Sequence, residues 1–141
     1  MWHMLWPVLV VIIANTVYHI SAKSTPAGID PFASLTLTYA IAGVVSVLMF
    51  FITAEQKNIL QEVTKANWAT YVLSASIVFL EFGYLMVYRA GWPVSTASLV
   101  CNLTVSCILL FAGLLLYKEV ISARQMMGIL VCGAGLFLVS K

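Results

Sequence analysis

Glu81 is the residue whose position most needs a chemical explanation. It sits inside Trp68–Arg89, WATYVLSASIVFLEFGYLMVYR, an otherwise apolar run. About 20 apolar residues in a helix cross the roughly 30 Å hydrocarbon core of a bilayer. At about 1.5 Å of rise per residue, Glu81 lies roughly 20 Å from Trp68 and 10 Å from Tyr88, well below either surface. A charge at the centre of a bilayer helix costs about 2.5–3.5 kcal/mol on insertion scales. A side chain that costly needs a partner, a proton or water in a cavity. Helical spacing puts Ser74, Glu81, Tyr84 and Tyr88 on one face. One reading is that this face lines a transport pathway, since intramembrane acids are functional sites by default. The other is a protonated Glu81 hydrogen-bonded to a neighbouring helix as polar glue.

Other polar residues in apolar runs allow the same choice. Asn15, His19 and Lys23 recur every four residues and form a stripe. It is either a substrate-facing surface, or an interhelical hydrogen bond at Asn15 with His19 and Lys23 snorkelling to the interface. Ser95, Ser98, Asn102 and Ser106 form a second stripe, and Asn102 is a candidate partner for Glu81 on the preceding antiparallel helix. Thr38 and Tyr39 give a weaker cavity signal. Arg89 either reaches the head groups or binds an anion or carboxylate at the mouth of the pathway.

These residues need helices to hold them in a membrane, and five are predicted: about 5–22, 32–53, 68–89, 95–117 and 122–140. Pro7 fits a first-turn position of the first. STPAGIDP is a short turn in which Asp30 before Pro31 fits a helix start. Ala42, Gly43 and Ser46 give the second span a close-packing patch. Residues 55–66, EQKNILQEVTKA, are predicted to lie on the membrane surface, with Ile59, Leu60 and Val63 on one side. Trp68 marks the interface where the third span begins. Gly91 and Pro93 make a tight return, and Ser95 can cap the fourth span. Gly128, Cys132 and Gly135 give the fifth a small-residue face for close helix packing. The fold class is therefore all-α, a polytopic membrane helix bundle.

Composition agrees. The chain is 62% hydrophobic and 9% charged, against about 25% charged in soluble domains, and its mean hydropathy is +1.03. A net charge of +2 with dispersed basic residues gives no reason to expect a nucleic-acid partner. MWHMLWPVLVVII lacks a leading Lys/Arg cluster and a following small-residue cleavage site, so it reads as an uncleaved span. Cys101, Cys107 and Cys132 fall inside predicted spans without a CxxC pair and read as packing residues. No catalytic Ser/His/Asp set, metal cluster or phosphate loop is present. No cofactor, no metal and no enzyme activity are expected.

The C-terminal half carries a pattern beyond composition. RAGWPVSTASLVCNLTVSCILLFAGLLLYKEVISARQMMGILVCGAGLFLVSK resembles the closing part of an EamA domain of the drug/metabolite transporter superfamily. The features are small residues Ser95 to Ser98, a Gly113 to Tyr117 run ending in Lys118-Glu119, then Ser122, Gln125 and Gly128, with Gly133 and Gly135 beyond. The first half resembles it more loosely, through a polar first span ending in Lys23 and the Pro-bounded first turn. Most EamA proteins look like two inverted five-helix repeats in one chain. The resemblance thus implies a single repeat that pairs as a half-transporter. The small multidrug resistance proteins also pair, but with four spans and an essential Glu in the first. Here the first span has Asn15 and the buried acid is Glu81 in the third.

The expectation is a multi-pass inner-membrane transporter whose partners are the lipid bilayer, a small-molecule substrate and a second chain. Glu81 would be the coupling or substrate-binding group, with Asn15, Tyr84 and Asn102 lining its cavity and His19 and Tyr88 nearer the ends. A lipid-linked-substrate flippase subunit and a non-transporting scaffold are the alternatives. The scaffold predicts a Glu81 sealed by packing. Five spans put Lys57, Lys65, Lys118 and Arg124 on one side and Lys23, Arg89 and Lys141 on the other, all seven basic residues. Orientation follows Lys/Arg imbalance, and here there is almost none. An antiparallel homodimer of dual topology is expected, or pairing with an oppositely oriented relative.

Overall fold

A computed structural model describes residues 2–54, 58–116, 118, 122, 127–128, 131 and 133–135. The helices are α1 (Trp2–Ser24), α2 (Pro31–Thr53), α3 (Ile59–Val63), α4 (Trp68–Arg89) and α5 (Val94–Leu116). Among the described residues there is no strand. Among the described residues, four helices are long and apolar enough to cross a membrane: Leu5–Ser24 of α1, α2, α4 and α5. Of the predicted fifth span, residues 127–128, 131 and 133–135 are helical, and the rest lies outside the described residues.

Local chemistry sets the helix ends. Asp30 accepts a hydrogen bond from the Ala33 amide at 3.0 Å, and Pro31 occupies the first helical position of α2. Such a cap is worth about 1 kcal/mol, and Pro there lacks only an N–H that would be orphaned anyway. Asn67 accepts from the Ala69 amide at 3.0 Å as α4 begins. Between α4 and α5 the chain turns through Gly91 at φ +94°, a left-handed conformation that suits a residue without a Cβ. Beyond α5, Lys118 adopts φ +53°, which costs a side-chain-bearing residue about 1–2 kcal/mol. The first-turn assignment of Pro7 is corrected. α1 begins at Trp2, so Pro7 lies inside the helix and one helical hydrogen bond is forgone.

The side chains are arranged for lipid. Leu9, Val11, Ile13, Leu37, Ile52, Leu73, Phe79, Leu109 and Leu115 are all exposed. Water-soluble monomers rarely expose contiguous apolar surface on this scale. Span hydroxyls satisfy themselves on their own helices. Thr16, Thr36, Thr38, Ser46, Thr53, Ser74, Ser98 and Ser106 each donate to the carbonyl four residues back, at 2.7–3.0 Å. This back-bonding is how Ser and Thr avoid leaving a polar group unpaired in hydrocarbon.

The chain forms two compact units, Met1–Lys23 with Ala90–Lys141, and Ser24–Arg89. In the first, the Lys23 ammonium donates to the Trp92 carbonyl at 3.1 Å instead of only snorkelling to the interface. In the second, α2 packs on α4. Phe32 and Phe82 stack with centroids 4.9 Å apart and planes 8° from parallel. The Arg89 guanidinium donates through Nη2 to the Ile29 carbonyl at 2.6 Å and the Pro26 carbonyl at 3.4 Å. These contacts fix the register of α2 against α4.

Candidate functional site

That register brings Glu81 to Tyr39. Both lie eight residues in from the Pro31 and Arg89 ends of their helices, about 12 Å of rise. The Tyr39 hydroxyl and the Glu81 carboxyl are close enough to interact electrostatically. The contact stops short of a formed hydrogen bond, because the Tyr39 oxygen is buried without an acceptor at bonding distance and angle.

Glu81 itself is half-buried. Along the same face Tyr84 and Tyr88 stack, with centroids 6.2 Å apart and planes 21° from parallel. The face read from the sequence thus exists as a carboxylate followed by two layered phenols, and Tyr88 is 5% exposed. In the sequence Tyr39 is marked only as a lone phenol in a span without another ionisable group.

The remaining candidates belong to the other unit. Asn15 is exposed on α1. His19 is buried, 5% exposed, with its ring edge-on to Tyr18 at 5.1 Å. Asn102 is exposed on α5, and its backbone carbonyl accepts from Ser106 at 2.8 Å. Within its own unit Glu81 has Tyr39 as a neighbour, and the sequence-expected Asn102 lies in the other unit. At Gly128 and Gly135 an added Cβ would meet nothing within 4 Å, and the same holds at Gly43. Cys132 lies outside the described residues, and Cys101 and Cys107 are free thiols.

A groove of about 520 Å³ lies between the C-terminal part of α2, α3 and the start of α4. Val47, Phe50, Ile59 and Val63 line it, and its charged residues Glu62 and Lys65 pair with each other at 2.6 Å. Glu81 does not line it. Among the described residues no group of three or more His, Cys, Asp or Glu is placed to hold a metal.

The model of the EamA-like transporter family matches residues 1–141. This chain belongs to the EamA-like transporter family. No curated protein and no solved structure matches it. Membership makes the chain a multi-pass membrane transporter of the drug/metabolite type, a family that is not enzymatic in general.

Proposed function

We propose that this EamA protein is a half-transporter in the inner (cell) membrane, working as a dimer and coupling proton movement to transport of a small metabolite or amphiphile through Glu81. The observation that carries the reading is a carboxylate in mid-span, half-buried and facing a phenol on the adjacent helix. A carboxylate used only as packing glue would be sealed, and the partial exposure of Glu81 favours an accessible group. Occupancy by a proton or by a substrate's donor group is mutually exclusive, and that exclusivity couples the two. The stacked Tyr84 and Tyr88 supply an amphipathic wall along the same face.

The dimer is supported by the small-residue faces. Among the described residues nothing lies within 4 Å of a Cβ at Gly128 or Gly135, and small-residue faces let transmembrane helices approach closely. The even distribution of Lys and Arg favours an antiparallel homodimer of dual topology, with Asn15, His19 and Asn102 contributing to the pathway. The deciding experiment is a substrate screen in proteoliposomes with an imposed proton gradient. Uptake driven by the gradient in wild type and lost in Glu81→Gln supports the proposal. Gradient-driven uptake equal in both would sink it.

A further inference from the structure

We propose that Tyr39 positions the Glu81 carboxylate, donating its phenolic O–H to it in one state of the transport cycle and releasing it in another. The inference rests on the reading of Glu81 as the coupling group and adds the residue that controls its availability.

Three observations carry it. First, the α2–α4 register is held at one end by Arg89 on the Ile29 carbonyl and by the Phe32–Phe82 stack, so Tyr39 and Glu81 are neighbours by construction. Second, the Tyr39 oxygen is buried and has no formed hydrogen bond. A buried hydroxyl left unmade is costly, and a small side-chain movement onto Glu81 removes that cost. Third, other hydroxyls on the two helices are committed: Thr36, Thr38 and Ser74 donate to carbonyls of their own helices. A phenol cannot fold back in this way, because its ring holds the oxygen away from its own backbone.

The surrounding groups leave this role to Tyr39. It is the titratable side chain of α2. On α4, Tyr84 and Tyr88 share the face of Glu81, while Arg89 is bonded to the Pro26 and Ile29 carbonyls. When the O–H points at the carboxylate, Glu81 is held as an acceptor. A proton or a cationic substrate group on the carboxylate weakens it as an acceptor and favours release of the phenol.

The test uses the full chain reconstituted in liposomes and read by infrared spectroscopy. The Glu81 carboxyl band is assigned by its loss in Glu81→Gln. In Tyr39→Phe the band should shift in frequency, and coupled transport should fall about tenfold or more, the effect of one hydrogen bond to a charged group. Tyr71→Phe, which alters an exposed tyrosine at the far end of α4, should change neither. An unmoved band in folded Tyr39→Phe overturns the proposal, even if Glu81→Gln still abolishes transport. A shifted band with normal transport in Glu81→Gln keeps the Tyr39–Glu81 contact and removes the coupling role instead. A Tyr39→Phe protein that does not fold would give the hydroxyl a structural role and overturn the proposal equally.

Discussion

Replacing Arg89 with Ala should destabilise the protein by releasing one of the contacts that hold α2 on α4. The guanidinium makes one short hydrogen bond, to the Ile29 carbonyl at 2.6 Å, and one long one, to the Pro26 carbonyl at 3.4 Å. Hydrogen bonds to charged groups contribute about 1.5–3 kcal/mol. Arg89 is partly exposed, and water can re-satisfy loop carbonyls near the head groups, so the lower end applies, about 1.5–2 kcal/mol. On the scaling of domains of this size, that lowers the melting temperature by about 5–8 °C. Arg89→Lys should recover only part of the loss, because an ammonium replaces a planar fork of donors. The assay is loss of the helical circular-dichroism signal on heating purified protein in detergent. An unchanged melting temperature with weakened binding of an anionic substrate would refute the reasoning and place Arg89 at the mouth of the pathway.

Two further outcomes follow from the same geometry. Replacing both Gly128 and Gly135 with Leu should shift the purified protein from dimer to monomer on size-exclusion chromatography, since no described residue packs against either; an unchanged oligomer with unchanged thermal stability would count against it. Single cysteines placed at either terminus of a cysteine-free version should each be labelled from both sides of the membrane in intact cells. Labelling from one side only would rule out the dual-topology homodimer.

Much of the scaffold was legible in the sequence. Trp68–Arg89 was bounded correctly because an apolar run of spanning length lies between Asn67-Trp68 and Gly91-Trp92-Pro93. The Asp30-Pro31 start was equally plain, since a capping acid before a first-position proline has one local use. The partner of Glu81 was harder to read. Its neighbour within its own unit, Tyr39, depends on the register between helices. That register is set by Arg89 on a loop carbonyl and by an aromatic stack, neither of which has a sequence period. The serine and threonine positions also promised more than they deliver. Spacing alone does not distinguish a hydroxyl lining a cavity from one bonded to its own helix. Lys118 gave no sign of its left-handed backbone, because that position is usually marked by glycine.

The central claim is that Glu81 exchanges protons with transported substrate. The direct measurement is lumenal pH, read with an entrapped dye in proteoliposomes, when a transported compound is added outside. Wild type should show substrate-dependent proton movement, and Glu81→Gln, which keeps the shape but cannot titrate, should show none while remaining folded. Substrate-dependent proton movement of equal rate in both proteins would contradict the account.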